Sequence, residues 1–250
     1  AALILQFDVG NTRLKWRLIN DREVFARGSS RLDQFKMSSL CLDGGIDQVQ
    51  LAAVRQGREF DALVEDISAT YPELDIYQAA AAERFGPVRF AYENPETQGV
   101  DRCLAMLAAY SLVSECDRFV GVMVIDAGSA VTVDVLNESG EQVEGYILPG
   151  LEMMREALLG KTSKIADGYR FKQRVVGALS TRECVDRGVM RAFIESMRGF
   201  VGSAKAAGLD LVITGGDASN LKDLLASEDC YFVGDLVLDG LFILATKGWV

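Results

Sequence analysis

The 250-residue chain contains no histidine. That absence excludes Ser-His-Asp and Cys-His catalysis, histidine phosphotransfer and histidine-ligated metals. Acid–base work must fall to carboxylates, and a bound metal would be a hard cation held by oxygen. Cysteine is sparse: Cys41, Cys103, Cys116, Cys184 and Cys230 are odd in number and scattered, with no CxxC pair. Zinc ribbons, thioredoxin-like exchange and a disulfide framework therefore have no basis, and reduced, mostly buried thiols are expected. Positive charge is in deficit. The 26 Lys and Arg against 36 Asp and Glu leave a net charge of −10, which is not the footprint of a nucleic-acid binder. No apolar run reaches the ~18 residues of a membrane span, so no membrane partner is expected. The opening residues lack the basic flank and cleavage site of a secretory signal, and a cytoplasmic location is the expectation. No low-complexity stretch or Pro/Gly/Ser linker divides the chain.

What is present is ordinary for a globular protein: 49% hydrophobic and 25% charged residues, with length for one large domain or two modest ones. One string stands out. Behind the apolar run Leu3 to Phe7 comes Asp8-Val9-Gly10-Asn11-Thr12-Arg13-Leu14-Lys15. A glycine turn lets backbone approach a phosphate, Asn11 and Thr12 add donors, Lys15 offers positive charge, and Asp8 can hold Mg²⁺ directly or through water. It is no Walker loop, because GxxxxGK[ST] is missing and a strand follows. Taken alone, it reads equally as an Asp-Gly hairpin with exposed polar residues. A relative returns downstream as Asp126-Ala127-Gly128-Ser129-Ala130-Val131-Thr132, behind Val122 to Ile125. Two such turns favour two similar halves offering one ligand a turn each.

The surrounding pattern repeats too. Strands are expected at Leu3–Val9, 13–19 and 23–28, and again at 120–126, 131–136 and 142–148. In the second of these, Leu14, Trp16 and Leu18 alternate with Arg13, Lys15 and Arg17, the period of a half-buried strand. Further strands are expected at 48–54 and 209–213. Helices are expected at 59–70, at 101–116 with a polar counterface, from Leu151, at 181–206 behind a Ser180/Glu183 capping box, at 218–225 and at 237–247. The 181–206 helix carries Val185, Val189, Phe193, Met197 and Phe200, a spacing that fits either a core helix or a dimer helix. Together these features argue α/β halves with mixed sheets. The expected division is 1–118 and 119–250, with the last helix packing back on the first half.

Two polar segments remain. Thr214-Gly215-Gly216-Asp217 turns from strand to helix and could expose N–H groups to a nucleotide, or be only a turn. The loop 93–102 ends in Gly99-Val100-Asp101-Arg102. There Asp101 either charges the helix start or acts as a catalytic carboxylate. A helix's positive end makes a carboxylate a weaker base. Phosphoryl transfer through a loose transition state needs positioning more than basicity.

In order and spacing these motifs resemble those of the type III pantothenate kinases, of the acetate/sugar kinase, Hsp70 and actin superfamily. Asp8 to Lys15 matches the first phosphate motif, Gly99 to Arg102 the GxDR motif, Gly145-Tyr146-Ile147-Leu148-Pro149-Gly150 the GxIxPG element and Thr214 to Asp217 the adenosine motif. The likeness runs from Phe7 to about Asp217. It implies two ribonuclease H-like (actin-like ATPase) domains with mixed sheets flanked by helices and a cleft between them.

The implied activity is ATP-dependent phosphorylation of pantothenate to 4′-phosphopantothenate, the first step of coenzyme A biosynthesis. The resemblance implies that Asp8, Val9, Gly10, Asn11, Thr12, Arg13, Leu14, Lys15, Ser129, Gly215 and Gly216 bind ATP, with Asp8 near Mg²⁺ through water. It implies Asp101 as general base, and Tyr92, Gly99, Val100, Asp101, Arg102 and Thr181 around pantothenate, Thr181 either from the same chain or across a homodimer interface. Asp126 would hold K⁺ or NH₄⁺. On the residues alone, Tyr92 reads as a partly buried aromatic and Thr181 as a helix-start residue. One departure is visible: the second motif usually reads DxGTAxT, and Ser129 keeps the hydroxyl but loses a methyl. The rival readings are another small-molecule kinase of the superfamily and a non-catalytic nucleotide-binding regulator.

Overall fold

The computed structural model describes residues 2–11, 13–21, 23–40, 45–54, 56–159, 180–222, 225–226 and 229–249. They form two compact units, Ala1–Ser111 with Asp235–Val250, and Leu112–Gly234. The first unit holds β1 (Leu3–Val9), β2 (Arg13–Asn20), β3 (Glu23–Arg31), β4 (Gln48–Ala53), α1 (Arg58–Thr70), β5 (Ile76–Ala79), the two-residue strands β6 (Arg84–Phe85) and β7 (Val88–Arg89), and α2 (Val100–Val113). The second holds β8 (Gly121–Ala127), β9 (Ala130–Asn137), β10 (Gln142–Pro149), α3 (Leu151–Leu159), α4 (Thr181–Ala207), β11 (Asp210–Thr214) and β12 (Tyr231–Phe232). The chain then returns to the first unit as α5 (Leu236–Lys247).

Each unit is built on a five-stranded mixed sheet of the same design, β3-β2-β1-β4-β5 and β10-β9-β8-β11-β12. Three strands meander antiparallel, and two more join parallel to the first. In the first sheet, Leu5, Phe7, Val9 and Leu51 pack against Phe60, Leu63 and Ile67 of α1. In the second, Ile125, Val131 and Val133 pack against Val189, Phe193 and Met197 of α4. The apolar stripe of α4 is thus a core stripe.

The opposite face of the first sheet departs from the half-buried reading of β2. Arg17 is 5% exposed, because α5 covers that face. Its Nε donates to Gln6 Oε1 at 2.7 Å, and its Nη1 to Asp239 Oδ1 on α5 at 2.7 Å. Gln6 in turn donates to Gln50 at 2.6 Å. Both faces of β2 are therefore covered, one by apolar packing and one by a polar chain.

Three further expectations are corrected. The 218–225 helix is a 3₁₀ turn at Gly216–Leu221. The helix carrying Asp101 ends at Val113 and has no polar counterface: residues 102–109 are all buried, while Leu112 is 47% exposed. Of the four described cysteines only Cys103 is buried, since Cys116 lies past the end of α2 and Cys184 in the first turn of α4. No helix among the described residues is long and apolar enough to cross a membrane.

Candidate active site

The first glycine turn closes a tight hairpin. Asp8 and Lys15 face each other across β1 and β2, and the Gly10 N–H donates to the Arg13 carbonyl at 3.0 Å. Asp8, Gly10 and Lys15 are half-buried, and Asn11 and Arg13 are exposed. Val9 and Leu14 turn their side chains fully into the core, so any ligand contact there is through backbone. Thr12 lies outside the described residues.

The residues of the 93–102 loop come to the same end of the same sheet. Asn94 caps a 3₁₀ turn at Pro95–Thr97, accepting from the Glu96 N–H at 3.2 Å. The Gly99 carbonyl then accepts from the N–H groups of Arg102 and Cys103 at the start of α2. A Cβ on Gly99 would lie 3.6 Å from Val54, whose N–H donates to the Val9 carbonyl at 3.3 Å. Gly99 therefore sits against the carboxyl ends of β1 and β4, where open α/β sheets place ligands. Asp101 is half-buried in the first turn of α2, and its Oδ1 accepts the Arg102 N–H at 2.8 Å. Arg102 is buried, with Nη1 2.5 Å from the Tyr92 hydroxyl and its guanidinium carbon 5.5 Å from that ring's centre. Val100 is buried as well.

In the second unit the turn Asp126 to Ser129 is pressed from two sides. A Cβ on Gly215 would sit 2.5 Å from the Asp126 carboxylate and closer still to the Ala127 carbonyl. Gly215 also has φ 97°, a conformation that other residues rarely adopt. Gly150 donates its N–H to the Ser129 carbonyl at 3.1 Å, and a Cβ there would collide with the carbonyls of Gly128 and Ser129. The GxIxPG and TGGD elements are thus the two walls of one turn. Ser129 and Gly216 are exposed.

Thr181 is exposed in the first turn of α4, behind the capping box: Ser180 accepts from the Glu183 N–H at 3.2 Å, and Glu183 accepts from the Ser180 N–H at 2.8 Å. It connects to the second turn through α3, whose fully buried Arg155 donates to Asp186 at 2.6 Å. Asp217, in the TGGD turn, has a displaced pKa. Burial, and after it the Glu152 carboxylate, push its carboxyl above the ordinary aspartate value.

Sequence reasoning missed two features. One is the close approach of Gly150, for which the Pro-Gly pair at the head of α3 was the only signal. The other is a hollow in the first unit beside Asn11, lined by Arg31, Asp33, Gln56, Glu59 and Phe60. Its residues come from three separate segments, which no local pattern joins.

Residue chemistry also fits the implied ions. Mg²⁺ keeps several waters and needs one or two carboxylates. Asp8, half-buried at a strand end beside Lys15, meets that need, although no cluster of three acidic or thiol ligands exists among the described residues. Near Gly215 the Asp126 carboxylate and the Ala127 carbonyl offer oxygen donors, the chemistry a monovalent cation would take.

Comparison with known proteins identifies the family. The sequence model of the family described as "Type III pantothenate kinase" matches residues 4–203. A type III pantothenate kinase of Hahella chejuensis is 33% identical over 249 residues, covering 96% of each chain. Among solved structures, a conserved putative Baf family transcriptional activator from Campylobacter jejuni matches with TM-score 0.54 at 17% identity, covering 98% of both chains. The acetate kinase of Porphyromonas gingivalis matches with TM-score 0.50 at 13% identity, covering 98% of this chain and 99% of its own. These last likenesses speak for the fold alone, that of the actin-like ATPases and sugar kinases. The chain belongs to the type III pantothenate kinase family, and its activity is the ATP-dependent phosphorylation of pantothenate in coenzyme A biosynthesis.

Proposed function

We propose that Asp101 is the catalytic residue of this transfer. Its carboxylate accepts the hydrogen bond of pantothenate's primary hydroxyl and takes up the proton as that oxygen bonds to the γ-phosphorus of ATP. The bond from phosphorus to the β,γ-bridging oxygen breaks, and ADP leaves. Because the transition state is loose, aiming the hydroxyl matters more than the strength of the base, and a carboxylate in the first turn of α2 is adequate.

Asp8, Gly10, Asn11, Thr12, Arg13 and Lys15 bind the ATP phosphates, Val9 and Leu14 through backbone alone. Ser129 adds a hydroxyl, and Gly215 and Gly216 give the adenosine a flat surface. Tyr92, Gly99, Arg102 and the backbone of Val100 line the pantothenate site, with Thr181 a further contact. Asp8 would hold Mg²⁺, which neutralises phosphate charge when bound, and Asp126 would hold K⁺ or NH₄⁺. One observation carries the reading: Gly99, next to Asp101, packs on Val54 beside the Asp8 turn, so acceptor and phosphate motifs share one sheet end.

We also infer a homodimer through the second unit. β10 is a sheet edge, and it exposes Val143, Tyr146 and Ile147; Leu158 of α3 is exposed as well. An uncovered apolar edge strand is a ready interface. An ATP-using enzyme of coenzyme A biosynthesis suits a cytoplasmic site of action.

An ADP-release assay with pantothenate, Mg²⁺ and K⁺ tests the mechanism. Asp101→Asn should lose about 10²–10⁴-fold in kcat while still binding ATP. Unchanged turnover would remove Asp101 from its role. ATP binding without turnover in the wild type would return the protein to a regulatory reading.

A further inference from the structure

The helix α5 supports the acceptor side of the first unit at three points along its length. At its start, Asp235 and Asp239 pair with Arg27 and Arg17 of the sheet. Midway, Gly240 crosses α2 at Leu104, one turn beyond Asp101, so closely that a Cβ would overlap the Leu104 backbone. At its end, Gly248 takes a left-handed conformation (φ 62°) and donates its N–H to the Leu244 carbonyl at 3.0 Å. Such a cap turns the chain off the helix axis. That turn brings the Trp249 indole onto Gly86.

Gly86 is the bend of the β6–β7 hairpin, with φ 53°, and its missing Cβ leaves the ring room to lie on the backbone. Lys247 Nζ stands 5.9 Å from the centre of the indole. The hairpin is rigid inward: Phe85 and Val88 are fully buried, Phe85 meets Phe90 edge-on at 5.2 Å, and the Phe90 N–H donates to the Glu83 carbonyl at 2.9 Å. Two residues after Phe90 comes Tyr92, whose hydroxyl meets Arg102. Trp249 therefore presses on the hairpin that leads into Tyr92.

We propose that Trp249 is a positioning residue for the acceptor, fixing the Tyr92–Arg102 pair by pinning the β6–β7 hairpin at Gly86. The proposal rests on the reading of Tyr92 to Arg102 as the pantothenate site. Moving a substrate-orienting pair by a fraction of an ångström weakens acceptor binding and leaves the nucleotide alone.

Steady-state kinetics of the full chain, varying pantothenate and ATP separately, test it. Trp249→Ala should raise the pantothenate KM about tenfold with the ATP KM near the wild-type value. Trp249→Phe should restore most of the loss, and Gly86→Ala should reproduce it by displacing the indole. An unchanged pantothenate KM in Trp249→Ala overturns the proposal, as does an equal rise in both KM values with a lowered unfolding temperature. Should Trp249→Ala fail to fold, Trp249 emission in a Trp16→Phe background decides. A shift on adding pantothenate without ATP supports the proposal, and no shift overturns it. A wild type that binds ATP but never phosphorylates pantothenate would instead refute the acceptor reading, a result distinct from either KM outcome.

Discussion

Single positions carry most of the second phosphate turn. Gly150 and Gly215 have no room for a methyl group, since one would strike the backbone of residues 127–129 rather than a yielding side chain. Gly215→Ala should weaken ATP binding about tenfold or more and cost about 1–3 kcal/mol of stability, measurable by calorimetric titration and urea unfolding. Asp217 offers a titration test. Its carboxyl is raised by burial and by Glu152, so the unfolded chain releases that proton more readily than the native one. Ionising Asp217 thus costs stability as pH rises through its native pKa, and the cost is absent below the unfolded value. Asp217→Asn should therefore raise the unfolding temperature at about pH 8, and the gain should shrink as pH falls toward about 4. At this scale the sequence placed Asp8 and Asp126 at strand ends and Asp101 at a helix start, because those orders are local. It was uninformative about Arg17, whose partner Asp239 lies 222 residues away. A period-2 pattern records which side chains are charged, and cannot say that a later helix will cover them.

Among the elements, α4 depends on its start. The reciprocal Ser180 and Glu183 bonds satisfy N–H groups that the first helical turn leaves open. Ser180→Ala should cost about 1 kcal/mol by chemical denaturation. Breaking the Arg155–Asp186 pair is expected to be worse. Asp186→Ala leaves a guanidinium with 0% exposure without its carboxylate neighbour at 2.6 Å, a change of about 3–5 kcal/mol on the same measurement. The meanders β1–β3 and β8–β10 were legible, since each strand joins its neighbour through a short turn. The strands β5 and β12 were not. Each joins its sheet in parallel and is short, so pairing rather than local pattern defines it. The 218–225 helix was misread from its leucine spacing, yet Asp217, Ser219 and Asn220 favour turns and the segment closes as a 3₁₀ turn at Gly216–Leu221.

For the molecule as a whole, the proposed homodimer rests on the exposed edge of β10. Ile147, 64% exposed, stands on that edge, and Ile147→Asp should shift the sedimentation coefficient from dimer to monomer without lowering the unfolding temperature. A wild type that sediments as a monomer would remove the dimer from the proposal. The return of α5 to the first unit has a consequence in time. A growing chain presents β1 to β5 to solvent long before residues 235–247 exist, so Gln6, Arg17 and Gln50 stay uncovered while the second unit is being made. The second unit is contiguous and can close as soon as it emerges, whereas the half that carries Asp101 waits for the last helix. On the ribosome, the part of the enzyme that begins first should mature last.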